Sequence, residues 1–228
     1  MKNFLVIVVL LFATRVWASG TISGTVRYQG EIPTPQKKPI TIDVQQCGKE
    51  ALSEDLLAGK KGGLQNAVVS IHGAMAGAKP FVEPKEGTVI DQKGCRFVPH
   101  VVMVGKGMPL TIFNSDHLRH NVRTYSRANL PVNVVQDPAQ PEVTVRFERS
   151  EVIEIRCDIH DWMKGWIIVA EHPYSVVTDE EGRYLLRDVP AGDYTLAVWH
   201  EKLGFRTKRV QVKEGEKTAV DYRLTDRD

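Results

Sequence analysis

The chain has 228 residues, of which 42% are hydrophobic, so it is long enough for one large domain or two small ones with packed cores. Lysine and arginine number 30 against 28 acidic residues, which gives a formal net charge of +2. This near balance argues against nucleic acid or an anionic membrane surface as a partner.

The first 18 residues have the pattern of a secretory signal peptide. Lys2 supplies a positive start, residues 4–13 are apolar, and Val-Trp-Ala at 16–18 is a cleavage site of the small-x-small type before Ser19. A membrane anchor is the alternative, but the apolar run has about 10 residues and a span needs roughly 20. We therefore expect a periplasmic or secreted protein with no membrane span in the mature chain.

Strand patterns dominate the chain that follows. Alternating segments rich in β-branched residues recur at short intervals, separated by Gly, Pro, Asn and Asp, which favours a β-sandwich or barrel over an α/β fold. The predicted strands span 20–28, 67–71, 101–104, 110–113, 121–125, 142–147, 151–157 and 166–170. The stretch 49–57 has helical character, and we predict a short helix or a loop there.

Three cysteines, Cys47, Cys95 and Cys157, follow the predicted cleavage site. An odd count in an exported protein leaves one thiol without an intrachain partner. If Cys47 pairs with Cys95, then Cys157 is the free thiol; the alternative is that Cys157 is itself a disulfide partner. Sequence does not fix the Cα separation that a disulfide requires, so both pairings stay open at this level.

The segment 157–163, Cys-Asp-Ile-His-Asp-Trp-Met, carries sulfur and imidazole donors on one short loop. Cys157, His160 and Met163 follow one another at equal spacing, and the alternation of the preceding strand places Cys157 on the apolar face. Two histidines and a cysteine with a weak axial methionine are the ligands of a type 1 copper site. A core methionine is the alternative role for Met163.

A second histidine has to come from elsewhere, and His120 is the best candidate. It ends the segment 110–120 and is followed by Asn-Val at the start of a predicted strand, whereas its rival His117 is not. Zinc is the alternative metal, but structural zinc takes four strong ligands and thioether sulfur suits copper better. The other histidines are interpreted as surface or structural residues.

Together the two segments resemble the cupredoxins of the amicyanin and plastocyanin type. Asn-x5-His-Asn-Val at 114–122 is similar to the stretch that carries their first histidine ligand. Cys-x2-His-x2-Met-x-Gly at 157–165 is similar to the short ligand loop of amicyanin. The resemblance covers 108–170, and it departs from the family at Arg119, where proline is frequent.

The resemblance implies one type 1 copper ion bound by four residues: His120, Cys157, His160 and Met163. It also implies a hydrogen bond from Asn121 across to the Cys157 loop, which would fix the two ligand segments to each other. The implied fold is all-β, with a Greek-key β-sandwich of cupredoxin type.

The segment after 172 resembles a second family, the carboxypeptidase regulatory-like (transthyretin-like) β-sandwich. It contains T-D-E-E-G-R-Y-L-L and D-V-P-A-G-D-Y-T-L-A-V, with hairpin turn signals at 179–182 and 190–192. We predict a signal peptide at 1–18, a cupredoxin-like copper-binding domain with an N-terminal extension at 19–172, and a small β-sandwich-like module at 173–228. The N-terminal strands, with Gly-Thr-Val at 24–26 and Ala-Val-Val at 67–69, are candidates to complete that module.

The predicted function is that of a one-electron carrier between redox partner proteins, a monomer and not an enzyme. The alternative is a periplasmic copper-binding or copper-delivery protein without an electron-transfer role; an adhesion or carbohydrate-binding module ranks last. For the carrier, we expect the imidazole edge of His160 to reach the surface between Trp162 and Trp166. Arg119 and Lys164 would then rim this docking patch with positive charge.

Overall fold

The computed structural model describes residues 19–73, 75 and 78–226, and its regular secondary structure consists almost entirely of strands. The all-β class predicted from the sequence is confirmed, while the predicted signal peptide at 1–18 lies outside the described residues. Within the described part of the chain, no helix has the length and apolar character needed to cross a membrane.

The strands are short and follow one another closely. In chain order the elements are β1 (Ser19–Tyr28), β2 (Lys37–Pro39), α1 (Val44–Cys47), β3 (Glu50–Leu52), β4 (Val68–Ile71), β5 (Thr88–Gln92), β6 (Phe97–Val98), β7 (Val101–Gly105), β8 (Pro109–Asn114), β9 (His120–Tyr125), β10 (Asn133–Gln136), β11 (Glu142–Arg146), β12 (Glu151–Arg156), β13 (Lys164–Ala170), β14 (Ser175–Val177), β15 (Arg183–Pro190), β16 (Gly192–His200), β17 (Gly204–Val212), β18 (Lys217–Ala219) and β19 (Tyr222–Leu224).

Strands from the middle of the chain form one sandwich. Its five-stranded sheet has the order β10-β9-β12-β13-β7, and its four-stranded sheet has the order β11-β8-β5-β6. Inward-facing side chains of both sheets form one buried cluster, which includes Ile90, Ile112, Ile153 and Ile167. Burying each such side chain contributes roughly 1.5–3 kcal/mol, so this alternating pattern determines which face of each strand points inward.

The two ends of the chain form a second sandwich. Strand β1 pairs with β15, β18 and β19, and β4 lies between β14 and β16. Its buried cluster includes Ile22, Val69, Leu196 and Tyr222. These pairings bring the N-terminal strands β1 and β4 into the same sheets as strands from the C-terminal part of the chain.

The region 37–52 differs from the sequence prediction. The expected helix or loop at 49–57 begins instead with strand β3, which pairs with β2, and the helical turn α1 lies just before it. The prediction is wrong for 50–52, where pairing with β2 makes a strand, because pairing with a neighbouring strand outweighs local propensity. The loop alternative holds for 53–57, which follow β3 without regular secondary structure.

The two sandwiches meet at a buried charged cluster beside a small apolar one. Glu201, whose side chain is 4% exposed, accepts a hydrogen bond from His100 and lies 2.5 Å from the Lys164 ammonium nitrogen. Burial acts to raise the pKa of Glu201, but His100 and Lys164 outweigh it and lower that pKa to about 2. Nearby, the indole rings of Trp166 and Trp199 pack edge to face with their centroids 5.0 Å apart.

Cys47 and Cys95 form a disulfide, with their Cα atoms 5.4 Å apart, and Cys157 is a buried free thiol. The pairing that left Cys157 available as a ligand is therefore confirmed. The disulfide joins the segment before β3 to the turn between β5 and β6.

Replacing both disulfide cysteines should lower stability strongly. Cys47 and Cys95 are 48 residues apart, and the chain entropy of closing a loop of about that size corresponds to roughly 4 kcal/mol in the unfolded state. We expect the Cys47→Ala, Cys95→Ala double variant to lose about this much free energy of unfolding in urea titrations. Titration of the unfolded, metal-free wild type should find one thiol; three thiols would contradict the disulfide.

Candidate metal centre

The loop after β12 folds back tightly and brings Cys157, His160 and Met163 to one end of the first sandwich. The His160 carbonyl accepts the Met163 N–H at 2.9 Å, and the Met163 carbonyl accepts the Cys157 N–H at 3.3 Å. Strand β13 then returns antiparallel to β12, with Arg156 opposite Lys164. Hydrogen bonds between backbone atoms of the loop thus hold its two ends together and fix where the three side chains begin.

His120 reaches the same end from the neighbouring strand. Strand β9 pairs antiparallel with β12, with Arg123 opposite Arg156, so the start of β9 lies beside the residue that follows β12. One donor atom each of His120, Cys157 and His160 lies within 4.8 Å of the others, and all three side chains are buried. His117, the rival candidate, is exposed and is not part of this group.

The inner nitrogen atoms of the two imidazoles face each other. The Nδ1 atoms of His120 and His160 are 3.0 Å apart, and the Cys157 Sγ lies 3.6 Å from the Nδ1 of His160. Both histidine side chains have 0% exposure. Burial lowers the pKa of His120, which favours the neutral imidazole that a metal ion needs as a ligand.

The outer nitrogen atoms of both rings contact carboxylates. The Nε2 of His120 lies 3.0 Å from Asp116, and the Nε2 of His160 lies 3.0 Å from Asp43. When each Nε2–H donates to its carboxylate, each Nδ1 presents a lone pair to the other ring. Sequence reasoning missed both carboxylates, although the spacing of Asp116 four residues before His120 was a usable signal.

Met163 is buried with 1% exposure and packs in the same apolar cluster as Cys157. Its position at the end of the loop puts it beside the other candidate ligands in the chain. The cluster also holds Trp162 as a partly buried member, whose indole N–H donates to the Cys95 carbonyl at 3.2 Å.

Asn121 ties the two ligand segments together. Its backbone N–H donates to the Cys157 Sγ at 3.3 Å, and its side-chain oxygen accepts the Asp158 N–H at 3.2 Å. Its amide NH₂ donates to Asn133 at 2.7 Å, which fixes the orientation of the side chain. The hydrogen bond to the Cys157 loop that the resemblance implied is therefore present.

The predicted docking patch around His160 is wrong. The imidazole edge does not reach the surface because Asp43, from the N-terminal extension, covers it. The predicted basic rim is also neutralised, since Arg119 pairs with Asp137 at 2.6 Å and Lys164 pairs with Glu201.

A second group of donors, formed by Cys95, Asp116 and His120, overlaps the first. Its sulfur is bonded to Cys47 and cannot act as a thiolate ligand. The Asp116 carboxylate is also used structurally, because it accepts the backbone N–H groups of Gly94 and Cys95, each at 2.8 Å. The group of Cys95, Asp116 and His120 therefore borders the first site and is not a separate metal site.

Residues 165–225 match the carboxypeptidase regulatory-like domain. This confirms the predicted C-terminal module. The match begins at Gly165 within β13, eight residues before the predicted boundary at 173. No curated protein matches the chain.

Solved structures that resemble this chain include a copper-containing nitrite reductase from Thermus scotoductus SA-01, with 23% identity, a TM-score of 0.35 and coverage of 43% of this chain. This chain spans a quarter of that enzyme's length, 25%. A purple cupredoxin from Nitrosopumilus maritimus matches at 18% identity and a TM-score of 0.32, covering 36% of this chain and 99% of its own. An amicyanin mutant in its Cu(I) form matches at 16% identity and a TM-score of 0.35, covering 45% and 98%. These partial likenesses leave the function to be argued from the site itself.

Proposed function

We propose that the chain is an exported type 1 copper protein that carries one electron between redox partners, with His120, Cys157, His160 and Met163 as the ligands of one copper ion. One observation carries this proposal: donor atoms of His120, Cys157 and His160 lie close together and are buried, and the Nε2 atom of each imidazole contacts a carboxylate.

The donor set fits a cation. When both imidazoles are neutral and donate Nε2–H to carboxylates, each Nδ1 atom carries a lone pair. The two Nδ1 atoms face each other at 3.0 Å. A thiol has a single weak S–H donor and can satisfy at most one of them. A metal ion satisfies both nitrogens and the thiolate together, whereas an empty site leaves buried acceptors unpaired at a cost of about 1–3 kcal/mol each.

Copper fits these donors better than zinc. Thiolate and thioether sulfur are soft ligands, and two histidines with one cysteine are the trigonal set of blue-copper sites. A structural zinc site takes four strong ligands, and only three of these four residues qualify. Copper bound here would supply a one-electron couple, while the protein holds the ligands in place.

The surroundings of the ligands favour an electron carrier over a delivery protein. Asn121 joins the two ligand segments, and Asp116 and Asp43 hold the two rings. Fixed ligands reduce the rearrangement between Cu(I) and Cu(II), which suits electron transfer. A delivery site needs ligands that can exchange, and the histidine and cysteine ligands here are all buried.

We also propose a domain division based on strand pairing. The copper-binding domain would still end near 172, as predicted. It would not begin at 19, however, but would be an insertion within the carboxypeptidase regulatory-like module. Strands β5 to β13 would form the copper-binding domain, and β1 and β4 would belong with β14 to β19 in the carboxypeptidase regulatory-like module. A disulfide and a signal-like N-terminus support export, because disulfides form and persist in oxidising compartments.

Electrochemistry and copper transfer together test the proposed role. We expect the copper-loaded protein to show a reversible one-electron wave and to exchange electrons with a small redox dye many times without losing copper. An irreversible wave would favour the delivery role. So would a rate of copper transfer to a weaker chelator that equals the rate of reduction of the protein.

Met163→Leu should keep the copper and the colour but shift the reduction potential. Leucine has a similar volume and fills the buried position, so the fold should persist, but it removes the weak axial thioether that tunes the potential. Voltammetry of the two proteins measures the shift. Met103→Leu, at a partly buried methionine packed against the small apolar cluster of Val68, Val101 and Ile168, is the matched control and should leave the potential unchanged. An unchanged spectrum and potential in Met163→Leu would exclude Met163 as the axial ligand.

A further inference from the structure

One residue of the N-terminal extension, Asp43, contacts the outer edge of His160. The Oδ2 atom of Asp43 is 3.0 Å from the Nε2 of His160. The His160 side chain has 0% exposure, whereas the Asp43 side chain is 42% exposed. Asp43 therefore stands between the imidazole and the solvent.

The side chain of Asp43 serves this contact and not the helical turn that follows, whereas its backbone carbonyl accepts the N–H groups of Gln46 and Cys47 in that turn. Asp43 has a positive φ of 48° and precedes the single turn α1, but its side chain makes no capping hydrogen bond. An aspartate at this position normally accepts a hydrogen bond from its own helix. A left-handed conformation of a residue other than glycine costs energy and persists where the surrounding structure imposes it.

The disulfide anchors the segment that carries Asp43 next to the metal centre. Cys47 ends α1 and is bonded to Cys95. The Cys95 N–H donates to the Asp116 carboxylate at 2.8 Å, and the same oxygen contacts the Nε2 of His120. Through the Cys47–Cys95 disulfide, the segment that carries Asp43 is therefore linked to the residue whose N–H group Asp116 accepts.

We propose that Asp43 is a positioning residue for His160: it holds the ring with Nε2 protonated and Nδ1 turned towards His120 and Cys157, and it shields the outer edge of the ring from solvent and competing ligands. This inference rests on the proposed copper-binding function. It assigns the N-terminal extension a role at the metal centre, because the carboxylate that completes the environment of His160 comes from there.

Two effects follow from a carboxylate on a ligand histidine. It fixes the tautomer and makes the imidazole a stronger donor, and loss of such a partner typically lowers metal affinity 10–100-fold. Its negative charge also stabilises Cu(II) relative to Cu(I), so it lowers the reduction potential.

The rate at which the loaded protein releases copper to an excess of a small chelator tests this role. We expect release from Asp43→Ala to be about 10–100-fold faster than from wild type, with a higher reduction potential. Asp43→Asn keeps the shape and an acceptor oxygen but loses the charge, so its rate should lie between those two. Asp161→Asn is the matched control: it removes a charge from an exposed residue beside His160 that makes no ion pair among the described residues, and it should release copper at the wild-type rate.

Nitrogen-15 NMR of the copper-free protein gives a readout that does not depend on loading. His160 should be the Nε2–H tautomer in wild type and a mixture of tautomers in Asp43→Ala. Copper release from Asp43→Ala at the wild-type rate, or equal acceleration by Asp161→Asn, would overturn the proposal. If wild type shows no copper–thiolate absorption, the proposed function fails instead, and the tautomers alone then decide the role of Asp43.

Discussion

Cys157→Ser is expected to abolish the intense visible absorption of the copper-loaded protein. That absorption arises from charge transfer between a soft thiolate and copper, and a hydroxyl cannot replace the thiolate. The buried position accepts serine sterically, and the Asn121 N–H that now lies 3.3 Å from the Cys157 Sγ can donate to the new oxygen. The fold should therefore survive while the colour is lost.

The double variant Cys47→Ala, Cys95→Ala is the matched control for this experiment. It removes the other two cysteine sulfur atoms of the chain but keeps the Cys157 thiolate. The absorption band should persist in it, at lower protein stability. A band that survives in Cys157→Ser, or that disappears in the control while copper stays bound, would contradict the assignment of Cys157 as the thiolate ligand.

Glu201→Ala is expected to lower the free energy of unfolding by about 3–5 kcal/mol, because removing one partner of a buried ion pair leaves the others uncompensated. Glu201 lies at the junction of the two sandwiches, and its loss leaves Lys164 and His100 without their carboxylate. Glu171→Ala is the matched control, since its ion pair with Lys106 is solvent-exposed and its removal should leave stability close to wild type. Urea titrations compare the three proteins, and equal midpoints would contradict a structural role for the charged cluster of Glu201, His100 and Lys164.

The same carboxylate gives stability a dependence on pH. The pKa of Glu201 is lowered from 4.5 to about 2 in the folded protein. A lowered pKa stabilises the fold above the unfolded value, and this contribution is lost as the pH falls from 4.5 towards 2. Glu201→Gln removes the titrating group, so its unfolding free energy should fall less steeply across that interval than that of wild type.

The sandwich class and the buried face of the strand that leads to the candidate ligand loop could be predicted because their signals are local. Alternation along 151–157 placed Cys157 on the buried face, and the odd cysteine count showed that one thiol has no intrachain partner, while the structure shows that this thiol is Cys157. The pairing of the first strand with the C-terminal module was also readable, since the Gly-Thr-Val motif at 24–26 is typical of that module.

The environment of His160 could not be predicted, because it depends on contacts between distant residues. Asp43 lies 117 residues before His160 in the chain, in an extension without a recognisable motif. The expected exposed edge and basic rim failed for the same reason: Asp43 covers the ring, and Lys164 finds its partner Glu201 in the other sandwich. Charge beside a ligand in sequence does not predict charge at the surface.

The visible absorption spectrum of the mature protein titrated with Cu(II) tests the central claim most directly. We predict an intense thiolate-to-copper band that grows to saturation at one copper ion per chain and disappears reversibly on reduction. A colourless product, or only the weak absorption of copper bound by nitrogen and oxygen, would contradict a type 1 site formed by His120, Cys157, His160 and Met163.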